Sequence, residues 1–127
     1  PSYPNNMYSF TPNPNEAAKS SKLYGQRCYG WDLSGTPEAT LERIDNKLQL
    51  KWLVEAYQLF PDKENFFLMP KSGKMEESFF TKLAGNNELW QQVKAGLSED
   101  EIRETWKKDL EEFKKIRKKY LLYDDFE

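Results

Sequence analysis

The sequence predicts an α+β fold, with a few short strands packed with about four helices and a long helix closing the chain. Three observations carry that expectation. Apolar residues recur at helical spacing near the C-terminus, behind a Ser-x-x-Glu start signal. A second run of the same period fills the middle of the chain. Ahead of it, a stretch alternates bulky and small residues, as a strand does.

The N-terminal region is dominated by Pro1, Pro4, Asn5, Asn6, Pro12, Asn13, Pro14 and Asn15, which favour extended and irregular backbone. Residues 7–11 (MYSFT) are its one short strand candidate. Residues 1–7 are expected to be the tail of a preceding domain or a linker, and 8–127 a single α+β domain. The chain opens on Pro1 rather than Met, so it is expected to be a piece or processed form of something longer.

Residues 26–33 (QRCYGWDL) place Arg27, Tyr29, Trp31 and Leu33 on one face of a strand. Gln26, Cys28, Gly30 and Asp32 fall on the other, and Gly30 suggests a bulge or a close backbone approach. Thr36-Pro37 is a helix start, with Pro at the first helical position. Leu41, Ile44, Leu48, Trp52, Ala56 and Leu59 then fit one continuous helix face, ended by Phe60-Pro61-Asp62 because Pro61 pushes Phe60 out of the helical region. Residues 65–69 (NFFLM) predict a second core strand. Phe79, Phe80 and Leu83 mark a short helix closed by Gly85. Asn87 is the expected cap of another over 88–95, ended by Gly96. Ser98 and Glu101 form a capping box for the last helix, whose apolar face reads Ile102, Trp106, Leu110, Phe113, Ile116 and Tyr120.

A chain of 127 residues hides roughly two-thirds of its unfolded surface, so one core without staples is feasible. With 19 Lys and Arg against 21 Asp and Glu, the net charge of −2 argues against a nucleic-acid partner and a polybasic membrane contact. No apolar run approaches the roughly 20 residues of a membrane span. There is no histidine, which removes Ser-His-Asp and Cys-His nucleophiles and His-containing zinc sites. The one cysteine, Cys28, forms neither an internal disulfide nor a Cys₄ site and is expected to be a buried, inert thiol. No metal or cofactor is expected.

Carboxylate chemistry needs two acids held across a bond, one with a raised pKa. Most acids here fall on solvated helix faces or in loops; Asp32 alone sits in an aromatic-rich strand, and one acid is not a pair. The Lys114, Lys115, Arg117, Lys118 and Lys119 cluster lies at the end of a helix that starts with Glu99, Asp100, Glu101 and Glu104, an arrangement that complements the helix dipole. The aromatics suit sugar rings and protein interfaces alike. Trp52, Trp90 and Trp106 fall on apolar helix faces and are expected in the core. Tyr29 and Trp31 are expected either in the core, the favoured reading, or facing a cleft or partner domain.

Residues 24–33 (YGQRCYGWDL), 79–85 (FFTKLAG), 102–106 (IRETW) and 113–123 (FKKIRKKYLLY) together resemble the C-terminal domain of the bacterial exo-β-N-acetylmuramidases. This glycoside hydrolase family was long known only as a domain of unknown function. The resemblance runs from about Tyr8 to the end of the chain. It implies the C-terminal accessory domain of a two-domain enzyme, packed against a Rossmann-like N-terminal domain that carries the acidic catalytic residues. It further implies release of N-acetylmuramic acid from the non-reducing ends of peptidoglycan fragments, outside the cytoplasm, in the periplasm or secreted. On that reading no catalytic residue lies in this chain, which is inactive alone, and its partners are the N-terminal domain and peptidoglycan fragments. Phe10, Thr11, Arg27, Tyr29, Trp31 and Asp32 are then the candidates for lining the substrate cleft or the interdomain contact. The alternatives are a stand-alone module gripping cell-wall glycan through Tyr29 and Trp31, or a structural interaction domain.

Overall fold

A computed structural model describes residues 8–20 and 22–125. The segment 1–7, expected as tail or linker, lies outside them. The described residues gather into two compact units that divide between Gln49 and Leu50.

The first unit holds a two-stranded antiparallel sheet, β1 (Tyr8–Phe10) and β2 (Cys28–Gly30), in the register Tyr8↔Gly30, Ser9↔Tyr29 and Phe10↔Cys28. Both strands are shorter than the alternation over 7–11 and 26–33 predicts. Turns cut β2 at both ends. Before it, the Gly25 N–H donates to Pro12 O and the Gln26 N–H to Leu23 O. After it, Asp32 Oδ1 accepts from the Ser34 N–H at 2.9 Å and folds the chain back on itself.

Helix α1 (Pro37–Ile44) starts as expected, with Thr36 Oγ1 accepting from the Ala39 N–H at 3.3 Å and Pro37 in the first turn. It does not continue to Leu59. Asp45 and Asn46 both adopt left-handed backbone, φ 50° and 49°, which these short polar side chains tolerate better than most. Gln49 Nε2 then donates to Ile44 O at 2.7 Å and satisfies one of the freed carbonyls. The continuous apolar period across 41–59 therefore spans two separate helices, and the described residues contain five α-helices.

The second unit is helical. Helix α2 (Lys51–Leu59) ends at Phe60 in extended backbone, as Pro61 dictates, and Lys63 Nζ donates to the carbonyls of Tyr57 and Gln58 at that end. Two 3-10 turns, Lys63–Asn65 and Met75–Glu77, lead to α3 (Phe79–Ala84), α4 (Leu89–Lys94) and α5 (Glu99–Arg117). The core is Leu50, Phe67, Met75, Leu89, Val93 and Ile102, with Trp90 and Trp106 among the half-buried residues packed on it.

The predicted strand over 65–69 is absent from this unit. A strand would send Phe66 and Phe67 to opposite faces, and no neighbouring strand is there to satisfy its backbone. Instead the chain bends, and Phe66, Phe67 and Phe80 pack edge to face at centroid distances of 4.9 and 4.8 Å. Such pairs add about 0.5–1.5 kcal/mol each beyond the area they bury. Leu68 and Met69 are left exposed.

Helix α3 closes on Gly85 and the turn after α4 passes through Gly96, both at positive φ, as expected. The expected cap Asn87 is displaced by its neighbour. Asn86 Oδ1 accepts from the N–H groups of Glu88 and Leu89, while Asn87 Oδ1 accepts from Trp90 Nε1. The capping box of α5 is present: Ser98 Oγ accepts from the Glu101 N–H and Glu101 Oε2 from the Ser98 N–H. Its apolar face is only partly used. Ile102 is fully buried and Trp106 half-buried, whereas Leu110, Phe113, Ile116 and Tyr120 are exposed.

Candidate functional site

All six residues singled out from the sequence lie in the first unit, and the sheet decides how they are grouped. Residues paired across an antiparallel ladder share a face, and neighbours along a strand alternate. Tyr8, Phe10, Cys28 and Gly30 therefore share one face, and Ser9 and Tyr29 the other. Phe10 and Tyr29 stand on opposite sides of the same two strands. Arg27 and Trp31 flank β2, Thr11 follows β1, and Asp32 opens the next turn.

Phe10, Tyr29 and Trp31 are 46%, 41% and 37% exposed, so the core reading of Tyr29 and Trp31 is corrected. A three-residue ribbon with one neighbouring strand has too little surface to bury them. Thr11, Arg27 and Asp32 are exposed as well.

The bare β2 face at Gly30 is occupied from across the ladder. A Cβ built on Gly30 would stand 3.8 Å from Phe10 Cε1, so the Phe10 ring lies beside this glycine. The Tyr8 and Phe10 rings are near-parallel, 19° apart with centroids separated by 6.4 Å. Tyr8 was not singled out from the sequence, although its i,i+2 spacing from Phe10 within MYSFT already places both on one strand face. Cys28 is half-buried rather than buried, its Sγ close to Gln26 O at 3.7 Å.

Asp32 accepts from both Ser34 Oγ, at 2.5 Å, and the Ser34 N–H. Those two hydrogen bonds, with a lesser contribution from the Arg43 charge, hold its carboxyl below the usual 3.8. Arg43 in turn donates to Leu33 O at 2.6 Å and Ser34 O at 3.5 Å, tying the turn to α1. An acid held this way is ionised at neutral pH and acts as an acceptor that shapes the loop. It has no proton to donate. Among the described residues, no group of three or more His, Cys, Asp or Glu is placed to hold a metal ion.

The family model described as "Exo-beta-N-acetylmuramidase NamZ, C-terminal" matches residues 4–123. Among curated proteins, the "Peptidoglycan beta-N-acetylmuramidase NamZ" of Bacillus subtilis (strain 168) is 31% identical over 115 residues. That alignment covers 91% of this chain and 24% of the relative, so the chain spans about a quarter of that protein's length. No solved structure matches the chain.

Proposed function

The chain belongs to the family of NamZ exo-β-N-acetylmuramidase C-terminal domains, and on that premise we propose that it is the accessory part of a peptidoglycan-processing glycoside hydrolase. In this reading residues 8–127 form the accessory domain. A separate Rossmann-like N-terminal domain supplies the paired carboxylates, and the enzyme releases N-acetylmuramic acid from non-reducing ends outside the cytoplasm. Phe10, Thr11, Arg27, Tyr29, Trp31 and Asp32 line the substrate cleft or the contact with that domain. The observation that carries the reading is the pairing of a match over residues 4–123 with coverage of only 24% of the relative. The exposure of Phe10, Tyr29 and Trp31 on the first unit supports it.

The test uses this chain and a full-length parent containing it, each given the disaccharide of N-acetylmuramic acid and N-acetylglucosamine. The parent is expected to release free N-acetylmuramic acid, measured by chromatography, and the chain alone to release none. Turnover by the chain alone overturns the accessory role; a silent parent overturns the activity. A stand-alone glycan-binding role is the second reading, favoured by the surface position of Trp31. Under it, added muropeptide changes the intrinsic fluorescence of the isolated chain and Trp31→Ala abolishes the response.

A further inference from the structure

The two units differ in what holds them together. The second encloses the core of Leu50, Phe67, Met75, Leu89, Val93 and Ile102. In the first, no described residue is buried. Its half-buried residues are Pro12, Cys28, Gly30, Thr40 and Gln49, none of them aromatic or a large aliphatic. Its large apolar side chains lie at the surface: Tyr8, Phe10 and Tyr24 are 54%, 46% and 64% exposed, Trp31 37%, and Leu41 on α1 67%.

The elements of the first unit are too short to persist unaided. A two-stranded ribbon is at best marginally stable in water. An isolated helix becomes marginal only at roughly 12–15 residues, and α1 has 8. The contacts from Arg43 to Leu33 O and Ser34 O, and from Ser34 Oγ to Asp32, are exposed to water, so each adds little. Such a unit needs apolar cover to offset the entropy of ordering it.

We propose that residues 8–49 are a docking element, whose exposed aromatics pack on the domain that precedes this chain in the parent enzyme and whose fold is held closed by that contact. Such docking rests on the accessory role proposed above, and it specifies which part of the chain makes the contact and what the contact does. Two observations select this occupant. The matched family is a C-terminal region and the alignment leaves about three quarters of the relative uncovered, so on that reading a larger body is joined to the first unit, not the second. Residues 8–49 also hold five Lys and Arg against five Asp and Glu, and this neutrality gives a phosphate or membrane surface no net attraction. Exposed Tyr, Phe and Trp are instead the side chains enriched where proteins meet.

The test is amide hydrogen exchange read by mass spectrometry, on the 127-residue chain and on a full-length parent containing it. In the chain alone, exchange over 8–49 is expected to be slowed by no more than about tenfold, and that of α4 and the first turns of α5 by about a thousandfold or more. In the parent, 8–49 slows by about a further hundredfold. Phe10→Asp with Trp31→Asp in the parent restores the faster exchange over 8–49, while unchanged protection of the second unit shows that the variant is folded. Slow exchange of 8–49 in the chain alone overturns the proposal, because the cover then comes from this chain or, where dilution removes it, from a second copy. Exchange of 8–49 that is equal in chain and parent, or that stays slow in the double variant, overturns it too. A parent that releases N-acetylmuramic acid yet leaves 8–49 fast defeats the docking alone; a silent parent that slows 8–49 defeats the activity alone.

Discussion

Glu99 Oε1 accepts from the Leu50 N–H at 3.2 Å, joining the first turn of α5 to the start of α2 across 49 residues. The same oxygen takes Nη2 of Arg103 at 2.6 Å and its Nε at 3.1 Å. Leu50 precedes α2 and has no side chain able to cap it, so a carboxylate from another helix satisfies the orphaned backbone donor. In the sequence Glu99 reads only as a favourable charge near a helix N-terminus.

Glu99→Ala is therefore expected to destabilise the chain by about 1–3 kcal/mol, since it leaves the partly shielded Leu50 N–H without its acceptor and removes the ion pair with Arg103. The midpoint of urea unfolding measures this. A loss no greater than that of an ordinary surface substitution, about 0.5 kcal/mol, contradicts the cross-helix cap.

The same contact predicts a pH dependence. Burial pushes the Glu99 carboxyl up, but the hydrogen bond from Arg103, together with the Leu50 N–H and the Arg103 charge, outweighs it and holds the group below its usual 4.5. A carboxyl whose folded-state pKa is depressed stabilises the fold fully above its unfolded value and loses that contribution as pH falls through the folded one. The melting temperature should fall as pH drops below 4.5, and Glu99→Gln should flatten part of that slope.

Ile102 and Phe113 occupy the same apolar period in the sequence but should respond very differently to truncation. Ile102→Ala, at a fully buried site, is expected to cost about 2–5 kcal/mol. Phe113→Ala, beyond the core, should stay within about 0.5 kcal/mol in the same unfolding experiment. Equal losses would mean that the distal half of α5 is covered.

Two glycines separate backbone need from side-chain space. Gly85 ends α3 at φ 75°, so Gly85→Ala is expected to cost about 1–2 kcal/mol. Gly30 has ordinary strand backbone and room for a methyl group against Phe10, so Gly30→Ala should be neutral or stabilise by up to about 1 kcal/mol. Thermal unfolding of both variants tests the contrast.

Asp32 gives a spectroscopic prediction. Its carboxyl should titrate below 3.8 when followed by carbon NMR, and Ser34→Ala should move the midpoint upward by removing the hydroxyl donor. An unmoved midpoint would show that the Ser34 hydroxyl does not hold the group.

Short-range signals were legible and the covering of faces was not. Thr36-Pro37, Gly85, Gly96 and the Ser98–Glu101 box each act across three or four residues, so their spacing in the chain is their spacing in space. The left-handed pair Asp45-Asn46 leaves no local mark, because an unbroken apolar period runs across it. Asn86 and Asn87 are equally good caps by composition, and the reach of Asn87 to the Trp90 ring nitrogen separates them. At the candidate site, the residues of β2 were visible from alternation, but the division of Phe10 from Tyr29 required the strand register.

By itself the sequence determined where most helices begin and end, the lack of histidine chemistry, and the family resemblance, since each rests on residue identity or local order. Tertiary structure decided that Ile102 is buried while Phe113 is bare, that Tyr29 and Trp31 face outward, and that Glu99 caps a helix not its own. Burial and long-range capping depend on which segments meet after the chain has turned several times, and a local period carries no record of those meetings.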